Sequence, residues 1–175
     1  MALTQAARVQ TLHLLVKNGI HKEQDSISVQ LKGNVKQCRP TFNIRSIKFH
    51  AYSRDISLCV CVTLQHYLER TEELRVGLSQ QEDGLLLSYV RPHKSVTKDA
   101  IARWIKAMLR RSGVDTTRFK VGSVRSAVTS KATAMSVPIA SIMSKAGWTQ
   151  ESTFAKFYDK HIVSEVDPFQ EAVLV

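Results

Sequence analysis

The sequence lacks the features that would place this 175-residue chain in a membrane, on a secretory route or around a metal ion. It contains no run of about 18 apolar residues, so we expect no transmembrane helix. Its first residues, MALTQAARVQTLHLL, do not place a basic segment before an apolar core, so we expect no signal peptide. The six histidines are scattered, and no pair has the spacing of metal ligands on one helix. We therefore expect neither a metal site nor a cofactor.

Cysteine is also scarce. The three cysteines are Cys38, Cys59 and Cys61, an odd number that does not complete a disulfide framework. A single residue separates Cys59 from Cys61, which suits neither a CxxC redox motif nor a zinc knuckle. Reduced thiols are the predicted state, as is usual for proteins inside cells.

Acidic residues are few relative to basic ones. The chain has 15 Asp and Glu against 25 Lys and Arg, which gives a formal net charge of +10. Such an excess favours an anionic partner, most simply a nucleic acid. Hydrophobic residues make up 43% of the chain, enough for a packed core. We find no repeat, linker or low-complexity segment, and we expect one domain over residues 1–162 followed by a tail over residues 163–175.

The first part of the chain predicts one helix and a small antiparallel sheet. The helix is expected over residues 4–16, with Thr4 as its N-cap, and the Asn18-Gly19 pair should end it. Alternating apolar residues predict strands over residues 26–31 and near residues 44–50, joined through a basic turn.

The rest of the chain is predicted to be mainly helical. Helices are expected within residues 57–74, from Ser95 or Thr97 to about Arg111, over residues 123–135, from Pro138 to about residue 145, and over residues 150–158. Residues 85–90 predict a short buried strand. The helix ending near Arg111 has an apolar face formed by Ile101, Trp104, Ile105 and Met108. The predicted fold class is therefore α+β, mainly helical with a small antiparallel sheet of about three strands.

The segment SVRSAVTSKATAMSVPIASIMSKAGWTQESTFAKFYDK resembles the C-terminal half of tyrosine recombinases of the phage-integrase type. The resemblance is closest to the recombinases of DIRS-like and Crypton-like mobile elements, and it extends from about Thr4 to Lys160. It implies the recombinase catalytic-domain fold. It also implies cleavage and rejoining of double-stranded DNA through a 3′-phosphotyrosine, self-association on DNA and a nuclear location.

The resemblance carries five roles onto this chain, each at a matching residue. Arg8 resembles the family's first arginine, and Lys32 resembles the lysine of its β-hairpin, with Lys36 as the competing candidate. The family's second arginine, its His or Trp position and its nucleophile correspond to Arg125, Trp148 and Tyr158. Members of this family usually carry an N-terminal domain that completes a clamp around DNA, and we expect that domain to be absent because Arg8 lies so near the start.

These residue types belong together for chemical reasons. A phosphodiester under attack gains charge on its non-bridging oxygens, which the guanidinium groups of Arg8 and Arg125 can bind with paired donors. A hairpin lysine such as Lys32 can protonate the leaving 5′ oxygen. The indole of Trp148 can donate a hydrogen bond but cannot exchange a proton. The phenol of Tyr158 needs activation, because the reference pKa of tyrosine is about 10.

The chain departs from the family at two positions. Gly122 stands three residues before Arg125, where the family has the histidine of its His-x-x-Arg motif. Tyr158 lies one residue further from Trp148 than is usual in bacterial members, as it does in the mobile-element subgroup. The first departure supports an alternative hypothesis, a domesticated or degenerate recombinase domain that binds DNA without catalysis. An RNA-binding or protein-interaction domain is a third hypothesis, which would not require Arg8, Lys32 and Tyr158 to converge.

A second group of basic residues surrounds the start of one predicted helix. It consists of Arg91, Lys94, Lys98 and Arg103, and we call it the basic group. Cations at a helix N-terminus favour contact with phosphate, so these residues and Lys36 are predicted to bind DNA. A solvated surface is the alternative interpretation.

Overall fold

The computed structural model describes residues 1–35, 44–77 and 83–157. Within these ranges the helices are α1 (Val9–His13), α2 (Val60–Thr71), α3 (Lys98–Arg111), α4 (Ser123–Ala134), α5 (Ile139–Ala146) and α6 (Glu151–Phe157). The strands are β1 (Leu15–Glu23), β2 (Ser26–Leu31) and β3 (Ser46–His50), and short 3-10 helices span Ile56–Leu58 and Glu73–Arg75. The α+β class, mainly helical with a small antiparallel sheet, is confirmed.

The sheet is antiparallel, in the order β1-β2-β3. Its register pairs Ile27 with Phe49 and Val29 with Ile47. All four side chains are buried, because residues two apart on a strand point to the same face of the sheet. The strands predicted over residues 26–31 and 44–50 are therefore confirmed.

The helix predicted over residues 4–16 is wrong in extent and in its cap. Only Val9–His13 is helical, and the residue before it is Arg8 rather than Thr4. The chain is already a strand at Leu15, and Asn18-Gly19 lies inside that strand. A Cβ at Gly19 would come within 2.4 Å of the Gln30 Cβ, so this glycine permits close approach of β1 and β2. Pairing with β2 overrides the local helical pattern.

Residues 85–90 do not form the predicted strand. Leu87 of this segment forms an isolated bridge with Ser95, and the preceding Gly84 forms another with Val16. Leu85 and Leu87 are buried, but the two residues that end the segment are exposed. The third strand of the sheet is β1 instead. The helix predicted within residues 57–74 is α2, which is shorter and has a 3-10 turn on either side.

The helices that follow agree with their predicted positions within a few residues. The Thr97 hydroxyl caps α3 by accepting a hydrogen bond from the Ala100 N–H at 3.2 Å. The predicted apolar face of α3 is only partly covered, since Ile101 is buried whereas Trp104 and Met108 are 42% and 59% exposed. No helix in the described parts of the chain is both long and apolar enough to cross a membrane.

Two apolar clusters form the core. The larger cluster packs β1–β3 against α1, α2 and α3 through residues such as Leu15, Val29, Phe49, Leu64 and Ile101. The smaller one gathers the C-terminal helices and consists of Ala6, Ile142, Ala146, Trp148 and Phe154. Ala6 belongs to this smaller cluster, so the start of the chain packs against α5, which is distant in the sequence.

Candidate functional site

Arg125 lies in the first turn of α4 and is almost fully buried, with 6% of its surface exposed. Its Nη1 donates to the carbonyl of Ala6 at 2.8 Å, and its Nη2 donates to the carbonyl of Ala146 at 2.6 Å. Ala6 precedes Arg125 by 119 positions. The guanidinium therefore joins the start of the chain to the end of α5, and both carbonyls fix its orientation.

The indole ring of Trp148 packs against the guanidinium group of Arg125. The guanidinium carbon of Arg125 lies 4.3 Å from the centroid of the Trp148 ring, within the range of a cation–π interaction. Trp148 also packs against Phe154, and the two ring centroids are 5.5 Å apart. The turn that places Trp148 here uses Gly147 in the left-handed region, with φ of 68°. Trp148 is 3% exposed and does not line the cleft described next.

A cleft of about 270 Å³ opens between the two clusters. Its polar lining consists of Gln5, Arg8, Thr11, Ser46, Lys48, Arg125, Ser144 and Lys145. Four of these residues are cationic, and none of the described residues that line the cleft is a carboxylate. Arg8 and Arg125 thus share one concave surface, although they are far apart in the sequence.

The four cations of the cleft come from different elements. Arg8 directly precedes α1 and is half-buried, Lys48 lies on β3, and Lys145 lies in the last turn of α5. Lys48 forms an ion pair and a hydrogen bond with Glu23 on β1. The hydrogen bond from Lys48 is the main cause that holds the pKa of the Glu23 carboxyl below its usual value, and a hydrogen bond from Ser26 adds to it.

Gly122 has an ordinary helical backbone, with φ of −65° and ψ of −22°. Its carbonyl accepts a hydrogen bond from the Arg125 N–H at 3.2 Å. A Cβ built on Gly122 would meet no atom within 4 Å. The position therefore does not require glycine for backbone or steric reasons, and it is not itself part of the cleft lining.

Besides Trp148, three predicted residues of the recombinase-like site either do not line the cleft or lie outside the described residues. Lys32 is exposed and directly follows β2, but it is not among the lining residues, whereas Val35 is. Lys36 and Tyr158 lie outside the described residues, as does the predicted tail. Their roles stay predictions.

Three solved structures have a similar fold. The XerA recombinase is 17% identical, with a TM-score of 0.62, and the match covers 91% of this chain and 51% of that one. The XerH site-specific recombinase bound to difH substrate, in a pre-cleavage complex, is 12% identical, with a TM-score of 0.60 and coverage of 91% and 42%. The XerH post-cleavage complex with palindromic difH is 13% identical, with a TM-score of 0.59 and coverage of 99% and 44%.

This chain has the fold of a recombinase catalytic domain. The fold implied by the resemblance is therefore confirmed. The chain spans only about half, or less, of the length of these recombinases. No protein-family model matches the sequence, and no curated protein sequence matches it either.

In this recombinase-like fold the basic group lies on the protein surface. Arg91, Lys94, Lys98 and Arg103 are all exposed, and none of them lines the cleft. The first two lie in a tight loop, in which the Ser88 N–H donates to the carbonyl of Lys94 at 2.8 Å. The other two lie on α3. The group is thus a second basic surface, separate from the lining of the cleft.

Sequence reasoning missed two cations of the cleft, Lys48 and Lys145. Neither belongs to a motif of the recombinase resemblance. Lys48 is one of several alternating residues on a strand, and Lys145 resembles any lysine in the last turn of a helix. Only the packing of α5 against the start of the chain brings Lys145 to the cleft. Among the described residues, no three His, Cys, Asp or Glu side chains gather to hold a metal ion.

Proposed function

We propose that this chain is a tyrosine recombinase catalytic domain, which binds double-stranded DNA and cleaves and rejoins one strand through a 3′-phosphotyrosine on Tyr158. The observation that carries the proposal is the shared cleft of Arg8 and Arg125. A concave site whose described lining contains four cations and no carboxylate suits a phosphate group. Preorganised guanidinium donors would stabilise the charge that develops on the phosphate during attack.

In this proposal each residue has one role. Arg8 and Arg125 bind the scissile phosphate, and Lys32, or its competitor Lys36, protonates the leaving 5′ oxygen. Trp148 acts through Arg125 rather than on the phosphate itself, because it is buried beneath the guanidinium. The attack by Tyr158 breaks the bond from phosphorus to the 5′ oxygen and forms the phosphotyrosine bond. Rejoining reverses these steps, so the reaction requires neither ATP nor metal.

The proposed partner is duplex DNA, and the two XerH structures are complexes of that enzyme with its difH substrate. The basic group and Lys36 would contact flanking phosphates. The likeness of the sequence to DIRS-like and Crypton-like recombinases further suggests a mobile-element origin, DNA integration, self-association on DNA and a nuclear location. These finer assignments are part of the proposal.

Binding through phosphates should be strongly dependent on salt. We expect the affinity for duplex DNA to fall with a log–log slope of several units, because each neutralised phosphate releases counterions. Arg8→Gln should reduce that slope by about one and weaken binding to all sequences alike. Fluorescence anisotropy over a range of salt concentrations measures both quantities.

Arg70→Gln is the matched control, since Arg70 is exposed on α2 and lies outside the cleft and the basic group. It should bind like the wild type. A flat salt dependence of the wild-type protein would rule out the proposed mode of binding. An Arg8→Gln variant that binds DNA as Arg70→Gln does would show that the cleft takes no part in DNA binding.

The alternative function is DNA binding without catalysis, and Gly122 is the observation that favours it. A suicide substrate with a nick beside the cleavage site traps the covalent intermediate, so long incubation separates slow cleavage from none. We expect a small yield of attached protein, and Tyr158→Phe should abolish attachment while leaving affinity for DNA unchanged. Complete absence of attachment would support the non-catalytic alternative, and attachment that survives in Tyr158→Phe would assign the nucleophile to another residue.

A further inference from the structure

We propose that Lys145 is a third phosphate ligand of the cleft, a role that rests on the proposed function of Arg8 and Arg125. The resemblance to recombinases assigns no role to this position. Lys145 is exposed, lies in the last turn of α5 and lines the same cleft as both arginines.

The backbone fixes Lys145 relative to Arg125. The neighbouring residue Ala146 supplies the carbonyl that accepts from Arg125 Nη2 at 2.6 Å. On the other side of Ala146, Gly147 ends α5 in the left-handed region, and its amide donates to the Ser144 carbonyl at 3.2 Å. The C-terminus of α5 therefore fixes the position of the Lys145 Cα relative to the Arg125 guanidinium. An anion bound to Arg125 would lie beside α5 at this point.

The charges of the cleft favour an anionic occupant. Like charges in one concave surface repel each other, and no carboxylate is among the described residues that line this one. Glu23 pairs with Lys48. Among the described residues, no ion pair involves Lys145. A phosphate group would relieve the repulsion by accepting hydrogen bonds from the ammonium and from the two guanidinium groups.

A purely structural explanation of Lys145 also exists. A lysine in the last turn of a helix interacts favourably with the helix dipole, whatever else lies nearby. Lys145 also borders a second, mainly apolar hollow lined by residues such as Phe49, Tyr52 and Leu58. A dipole role would change the melting temperature of a variant without changing its affinity for phosphate. The two explanations therefore predict different measurements.

The test uses inorganic phosphate as the probe. Amide chemical shifts of Ala146 and Gly147, followed by NMR during a phosphate titration, report the dissociation constant at the cleft. We expect Lys145→Gln to weaken phosphate binding by about five- to tenfold, because one charge-assisted hydrogen bond is lost at an accessible site. Lys145→Arg should retain most of the affinity, since it keeps the charge. Lys22→Gln, an exposed lysine of β1, removes the same charge elsewhere and should bind like the wild type.

Duplex DNA gives the second readout, and Lys145→Gln should lower the salt slope by about one. The inference is overturned if Lys145→Gln binds phosphate as the wild type does, or if the wild type shows no saturable shifts at Ala146 and Gly147. Should Lys145→Gln lose stability, Lys145→Met keeps the length of the stem and answers the same question. A wild-type protein that binds phosphate through Lys145 but does not bind duplex DNA would refute the proposed function and support this site.

Discussion

Replacing Gly122 with histidine should raise the yield of covalent protein–DNA complex by about 10²–10⁴-fold, the usual contribution of a positioned general acid–base group. Glycine offers no side-chain donor, acceptor or titratable group. The backbone at Gly122 is helical, and a Cβ there would meet no atom within 4 Å. The substitution should therefore be tolerated without backbone strain. Any change in the cleavage yield would then reflect the chemistry of the added imidazole. Single-turnover trapping on a nicked suicide substrate measures the yield.

Two further variants give this experiment its controls. Gly122→Ala adds a side chain without a titratable group and should cleave at the wild-type rate. The double variant Gly122→His with Tyr158→Phe should form no covalent complex. Wild-type cleavage at the rates of active recombinases would contradict the prediction. So would a Gly122→His variant that folds and binds DNA but gains no activity, because another part of the site must then be defective.

Arg125→Met should destabilise the domain by about 4 kcal/mol, because it leaves two buried carbonyls without their donor and removes a desolvated cation–π contact. The carbonyls belong to Ala6 and Ala146, and the ring belongs to Trp148. A loss of this size corresponds to a fall of about 10 °C in the melting temperature for a domain of this length. Urea denaturation and thermal unfolding measure the change.

Arg125→Lys should recover part of the stability at most, since one ammonium cannot span two carbonyls as a planar fork does. Arg103→Met is the matched control, because Arg103 is exposed on α3, and its loss should cost less than about 0.5 kcal/mol. Unfolding of Arg125→Met at the wild-type midpoint would show that these contacts contribute little. Arg125 therefore cannot report on phosphate binding alone, whereas Arg8, at the residue before α1, is the better probe of the cleft.

Parts of the fold were predictable because a local rule determines them. The alternation of Ile27 and Val29 identifies β2, since only a period of two buries both side chains on one face. The Thr97 cap and the Arg111 end of α3 follow from hydrogen bonds within a few residues. The helix predicted over residues 4–16 failed for the opposite reason, because β1 gains its backbone hydrogen bonds from a neighbouring strand that its own pattern does not reveal.

In the candidate site, too, some features follow from the sequence and others depend on contacts between distant elements. Arg8 and Arg125 were identified through the resemblance to tyrosine recombinases, and the structure places both in one cleft. The sequence shows that the Trp148 indole can donate a hydrogen bond, whereas its burial against Arg125 is a consequence of tertiary packing. Lys145 matched no motif and became a candidate only through its position. A side chain's neighbours depend on contacts between distant elements, which a residue's local pattern does not contain.

The sequence by itself determined the positive charge and the mainly helical α+β class, and its resemblance to tyrosine recombinases pointed to Arg8 and Arg125. The charge follows from composition, and the fold class follows from local periodicity, which every short segment carries with it. Only the tertiary structure decided how the residues combine. The contact of Ala6 with Arg125 links positions 119 apart, and it creates the cleft by holding the start of the chain against the end of α5. Such a contact depends on the packing of the whole domain, because no local interaction brings its two partners together.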